Sequence, residues 1–263
     1  MTSKLRIATA CLSLAAGTAL AAIASPAQAF NFDSGTDLGS CGVLVDNLST
    51  PLGIANLDDT TGVSTCTTAD GFVLDVEQPA DGYLQGKEVN GTIGVGITSE
   101  NGPTLAEIGG EVFQEILAVT VPVPNVLTEL GLSFLYHNPA FGDNVKEQGL
   151  VKVSETLYGI LSVTSATTAE WVVYENGVEI ISKVLNGDST ATGGGYYNIK
   201  NPFADIVVSS FTLLAPESTA GDTFRQSDFA LTNASVGIPE PSLVLGLGVA
   251  GASLLGLRRR KNA

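Results

Sequence analysis

Asn176-Gly177 stands between two runs of strand-forming residues, Glu170–Glu175 (EWVVYE) and Val178–Val184 (VEIISKV). A two-residue hairpin loop needs positive φ at both central positions, which Asn and Gly accept at little cost. The dipeptide therefore predicts a β-hairpin. In its second arm Val178, Ile180, Ser182 and Val184 alternate with Glu179, Ile181 and Lys183, so the first set predicts an apolar face and the second a mixed one.

The same grammar extends along the chain. Short runs rich in Val, Ile, Thr and Leu, punctuated by Gly, Asn, Asp and Pro, predict strands at Phe72–Glu77, Lys87–Thr98, Val112–Val121, Leu130–Tyr136, Leu150–Thr164, Asp205–Leu214 and Ser227–Val236. Helical periodicity is rare, with a short helix conceivable at Leu105–Gln114 or Pro124–Leu130. Many strands at near-regular spacing predict an all-β fold, a single antiparallel β-sandwich of the jelly-roll kind over residues 30–237. A split into two domains near 100–124 is the alternative. Cys41 and Cys66 are the two cysteines of this body, and a disulfide between them is expected.

The two ends read differently. The first 29 residues carry Lys4 and Arg6, an apolar run from Ile7 to about Ala24, and a small-x-small site at Ala27-Gln28-Ala29. That is the pattern of a secretory signal peptide cut after Ala29 by signal peptidase. Residues 238–263 hold Pro239-Glu240-Pro241, an uncharged run from Ser242 to Leu257, and the basic cluster Arg258, Arg259, Arg260, Lys261. Sixteen helical residues rise about 24 Å, a marginal membrane span. The basic cluster acts as a cytoplasmic stop under the positive-inside rule, leaving the body outside.

This tail resembles the PEP-CTERM sorting signal of exopolysaccharide-producing Gram-negative bacteria, cyanobacteria included. The resemblance implies that the membrane protease exosortase recognises the tail, that cleavage falls near Pro239, Glu240 and Pro241, and that the body passes to the cell surface or its matrix. Residues from about Trp171 to Val236 are also similar to the C-terminal half of many PEP-CTERM exported β-proteins. The carrying features are the Trp-Val-Val-Tyr-Glu-Asn-Gly hairpin, Gly195-Tyr-Tyr-Asn-Ile199 before Asn201-Pro202-Phe203, and Ser227-Asp-Phe-Ala-Leu231.

Charge separates the parts further. The chain has a formal charge of −15 and a mean hydropathy of +0.28. Residues 30–241 contain all 27 acids against six basic residues, a net −21, while the apolar excess lies in the two ends. Such a surface excludes nucleic-acid binding, which needs clustered Lys and Arg.

Signals of catalysis are weak. No Gly-x-Ser-x-Gly elbow occurs, and the one histidine, His137, closes a strand-like run. Gly91–Gly96 and Gly193–Gly195 open no βαβ helix and read as turns. A non-enzymatic structural or adhesive body is therefore expected. The acids allow a glycosidase pair somewhere, so a polysaccharide-acting hydrolase is a distant alternative. A nearer alternative is a carbohydrate-binding module using Trp171, Tyr196 and Tyr197, with Tyr174 beside them, to bind exopolysaccharide or another surface glycan. No cofactor or metal ligand set is assignable. Oxygen-rich turns at Asp58-Asp59, Asp81-Gly82, Asp143-Asn144 and Asn186-Gly187-Asp188 are the places where structural Ca2+ could sit.

Overall fold

A computed structural model of the 263-residue chain describes residues 27–46, 62–99, 105–109, 114–137, 147–187, 194–216 and 227–237. Its strands are β1 (Gln28–Asn31), β2 (Thr65–Thr67), β3 (Val73–Gln78), β4 (Tyr83–Val89), β5 (Thr92–Thr98), β6 (Leu105–Gly109) and β7 (Ile116–Ser133). They continue with β8 (Gln148–Lys152), β9 (Leu157–Ser165), β10 (Thr168–Glu175), β11 (Val178–Asn186), β12 (Tyr197–Lys200), β13 (Val207–Leu214) and β14 (Asp228–Gly237). One helical piece accompanies them among the described residues, a 3-10 turn at Gly39–Gly42 running into an α-turn at Val43–Asp46. The protein is all-β, and its strand pairs are antiparallel.

The main hydrogen-bonded path runs β11-β10-β9-β8-β13-β7-β14-β6-β5-β4. Its hub is β7, which runs through both expected strands, Val112–Val121 and Leu130–Tyr136, without a break between them. Residues 116–120 pair with β3 and β13, residues 125 and 126 pair again with β13, and residues 126–133 pair with β14 and, in part, β12. Pro122 and Pro124 fall at the break in the β7–β13 register, between Thr120 and Asn125, where no β13 partner is paired and a missing N–H costs no bond to it. Among the described residues no helix forms at Leu105–Gln114 or Pro124–Leu130. The first range gives β6, with Ala106 at φ +61°, and the second is an inner stretch of β7.

The hairpin at Asn176-Gly177 forms as β10–β11, with φ +53° and +77° at its two turn residues. Asn90-Gly91 does the same work at φ +54° and +85°, so the run expected as one strand, Lys87–Thr98, is the hairpin β4–β5. Leu150–Thr164 likewise divides into β8 and β9. The facing of β11 is the reverse of the alternation reading. Val178, Ile180 and Val184 are exposed, whereas Ile181 and Leu185 pack against the core. The register with β10 has a β-bulge at Ile180, between the pairs Val173–Ile181 and Tyr174–Glu179, but Val178 before it and Ser182 and Val184 after it are all exposed.

One apolar cluster runs through the body. It includes Phe30, Phe72, Leu74, Val95, Leu117, Leu130, Leu161, Trp171, Phe211 and Phe229, each 1% exposed or less. Cys41 and Cys66 are bonded within it and tie the 3-10 turn to β2.

Candidate functional site

The expected sorting motif Pro239, Glu240, Pro241, the expected span 242–257 and the basic residues Arg258, Arg259, Arg260 and Lys261 lie outside the described residues, as does most of the expected signal peptide. Among the described residues no helix is long and apolar enough to cross a membrane. What is described is the junction of both ends with the body. β1 pairs with β14 in the register Gln28–Val236, Ala29–Ser235, Phe30–Ala234 and Asn31–Asn233. The strand that contains the expected cleavage point thus lies against the strand that runs toward residues 238–263.

The expected cut falls inside β1. Ala27 is exposed, but Ala29 is half-buried and Phe30 is 1% exposed. On the side of β1 away from β14, the Ala29 N–H donates to Asp70 Oδ2 at 2.9 Å, and the Gln28 amide donates to the Asp70 carbonyl at 3.1 Å. Phe30 meets Phe32 and Phe72 edge-on, with ring centroids 5.3 and 5.0 Å apart. These rings anchor the body just past the expected cleavage point.

The aromatic residues considered for glycan contact are mostly not available for it. Trp171 is fully buried, donates its indole N–H to the Pro202 carbonyl at 2.9 Å, and meets Phe203 edge-on at 5.8 Å. Tyr197 is fully buried as well. The strand alternation that could have exposed them instead turns both inward, so neither offers a face to a sugar. Tyr174 stacks on Tyr158 at 5.3 Å. Tyr196 is half-buried, and its hydroxyl donates to Asn233 Oδ1 at 2.9 Å.

Tyr196 thereby joins a polar network beside β1. Glu129 accepts from Asn198, from the Lys200 ammonium and from Asn233. Burial alone would raise the Glu129 pKa, but these donors carry it below the ordinary carboxylate value. Burial, then the charges of Glu129 and Asp33, push the Tyr196 phenol up to about 12. A cleft of about 270 Å³ opens next to this network, lined by Asn31, Ser34, Thr36, Glu129, Asn233 and Ser235 among others.

A second cluster was not visible in the sequence. Glu107 on β6, Glu147 before β8 and Asp228 at the head of β14 converge near Tyr136. Lys87 on β4 contacts Glu107 Oε1 at 2.6 Å and lies 5.4 Å from the Phe134 ring centroid. The Asp228 N–H donates to Glu147 Oε2 at 3.1 Å, and the Asp228 and Glu107 carboxyls are hydrogen-bonded to each other. Burial first, then the charges of Glu107 and Glu147, hold Asp228 well above the ordinary aspartate value.

Among the described residues no group of three or more His, Cys, Asp and Glu side chains could hold a metal ion. Of the oxygen-rich turns, Asp58-Asp59, Asp143-Asn144 and Asp188 lie outside the described residues, while Gly82 closes a tight turn by donating its N–H to the Pro79 carbonyl at 2.9 Å. No protein-family model, no curated protein and no solved structure matches the chain.

Proposed function

We propose that this is an exported cell-surface or extracellular-matrix protein, carried across the membrane by its N-terminal signal and processed at its PEP-CTERM tail by exosortase. Its body is a non-enzymatic structural or adhesive module of the β-sandwich, jelly-roll-like type. The observation that carries the reading is the β1–β14 pair, which sets Gln28 opposite Val236 and so brings both address segments to one pole of the body. A folded domain with both leaders at one pole can remain tethered beside the membrane while its remaining surface faces outward. The net −21 of residues 30–241 supports solubility outside the cell, and a buried disulfide suits an oxidising compartment.

Intact mass of the exported protein tests this. The expected species lacks residues 1–29 and ends near the Pro239-Glu240-Pro241 motif. A mature exported species still ending at Ala263 overturns the sorting reading.

A carbohydrate contact is the second reading, and the cleft beside Glu129 and Tyr196 favours it. Titration of the exported body against the host's exopolysaccharide, with Tyr196→Ala as the comparison, tests it. No binding by the unaltered protein rejects it.

A further inference from the structure

We infer that the outward face of β8, β9, β10 and β11 is a self-association surface, on which a second copy of this chain packs sheet against sheet about a two-fold axis. The inference goes beyond the structural reading above and does not depend on the route of export.

Register decides what this face carries. Opposed residues of neighbouring antiparallel strands project on the same side. The ladders therefore set three rows side by side: Lys152–Tyr158–Tyr174, Leu150–Ile160–Val172 and Gln148–Ser162–Glu170. The alternate residues, Val151, Leu161, Trp171 and Val173 among them, are fully buried on the other side. β11 extends two of the rows, with Ser182 opposite Val172 and the exposed Val184 opposite Glu170. β12 and β14 approach this part of the sheet from the core side, where the Lys183 ammonium donates to the Lys200 carbonyl at 2.8 Å and Gly149 faces Phe229.

The middle row is apolar where the solvated face of an antiparallel sheet is ordinarily polar. Leu150, Ile160 and Val172 are half-buried, yet they join neither core cluster. Beside them Tyr158 and Tyr174 stack with ring centroids 5.3 Å apart. The polar row is tied down: the Gln148 amide donates to Ser162 Oγ at 2.7 Å, and Ser182 Oγ donates to Glu170 Oε1 at 3.2 Å. Charge sets the face apart as well. The three rows hold one cation, Lys152, and one carboxylate, Glu170, while residues 30–241 carry a net −21. A second copy is repelled by the acidic remainder and meets no net charge here.

Lys152 and Glu170 stand at opposite corners, each one strand and one row away from Ile160 in opposite directions. A two-fold axis lying in the face through Ile160, square to the line between those corners, exchanges them. It sets Lys152 over the second copy's Glu170 and Glu170 over its Lys152, with Ile160 on Ile160 at the centre. The strands of the two copies then cross steeply, as in the orthogonal class of sheet packing. Stacked sheets lie about 10 Å apart, a gap that a lysine and a glutamate side chain span together. β9, β10 and β11, with the shorter β8, present roughly 500 Å² per copy and about 1,000 Å² for the pair, the lower limit for a specific interface. That area supports a reversible dimer.

Sedimentation velocity on the exported protein at about 0.15 M salt, where exposed charges more than about 8 Å apart are screened, tests this. The sedimentation coefficient is expected to rise with concentration as monomer converts to dimer. Ile160→Lys places two like charges on the axis and is expected to leave a monomer. Lys152→Glu and Glu170→Lys each oppose like charges at both corners, and each is expected to weaken the dimer at least about tenfold. Lys152→Glu combined with Glu170→Lys remakes both pairs and is expected to restore the dimer, which separates a lost contact from a lost fold. An unaltered protein that stays monomeric overturns the inference, whether its face is left open or takes up exopolysaccharide. So does a dimer that Ile160→Lys and the single exchanges leave unchanged.

Discussion

Gly159 and Trp171 offer a quantitative test of whether the single tryptophan is a core residue. A Cβ placed on Gly159 would overlap the Trp171 ring, whose indole N–H is fixed to Pro202 and whose edge is fixed by Phe203. The ring cannot give way, so Gly159→Ala is an overpacking change costing about 1–3 kcal/mol. Trp171→Leu removes most of the ring and strands the Pro202 carbonyl, costing about 4 kcal/mol. In the double variant the new methyl meets no ring and fills part of the space the indole left. The Gly159→Ala cost should then vanish, giving a coupling of about 1–3 kcal/mol in favour of the pair. For a body of this size each kcal/mol moves Tm by about 2–4 °C, so Trp171→Leu should lower it by roughly 8–16 °C. Trp171 is the only tryptophan, so far-ultraviolet circular dichroism has to follow the unfolding. A neutral Gly159→Ala, or strictly additive costs, would refute the packing argument.

Other perturbations have equally definite outcomes. Replacing Cys41 and Cys66 together by Ser removes a cross-link spanning 25 residues, and denaturant titration should show a loss of about 3.5 kcal/mol on the chain-entropy model. Gly177→Ala meets no neighbouring atom within 4 Å, so its cost at φ +77° is purely conformational and should be about 1–2 kcal/mol by the same titration. The raised pKa of Asp228 means that the folded state holds a proton the unfolded chain releases. Its contribution is present below the unfolded value near 3.8 and is lost as pH rises through the folded one. Asp228→Asn should therefore flatten the decline of the denaturation midpoint with rising pH, and an unchanged slope would remove Asp228 as its cause. Glu129, held low by its donors, contributes in the opposite sense. Its share is present above the unfolded value of 4.5 and lost as pH falls, so Glu129→Gln should weaken the acid limb of the same profile.

What could be read in advance was whatever local chemistry decides. Asn176-Gly177 specifies its hairpin because only residues tolerant of positive φ fit that turn, and Asn90-Gly91 carried the same signal inside a run read as one strand. The alternation of β11 itself holds from Ile180 onward, with Ile180, Ser182 and Val184 exposed and Ile181, Lys183 and Leu185 half-buried, but the composition of the two faces did not tell which of them packs on the core. Three- and four-residue strands such as β2 and β12 contain too few alternations to announce themselves. The carboxylates of Glu107, Glu147 and Asp228 meet only because β6, the approach to β8 and the head of β14 are folded together, and no spacing along the chain encodes that. Trp171 was an ambiguous aromatic until Gly159 was seen to leave room for its ring.

The sheet also dictates when it can be completed. β7 must wait for β12, β13 and β14, and β1 must wait for residues some two hundred positions downstream, so the slowest contacts to form are the ones that close the body. A chain synthesised from its N-terminus passes through an interval in which β3, β7 and the hairpins have emerged while β14 has not. During that interval the flank of β7 that β14 will cover is open to any strand of a neighbouring copy. Twenty-one excess negative charges on residues 30–241 repel those neighbours before any tertiary structure exists. The acidity of the body is in this sense a property of its nascent form, keeping unfinished copies apart until the last strand arrives.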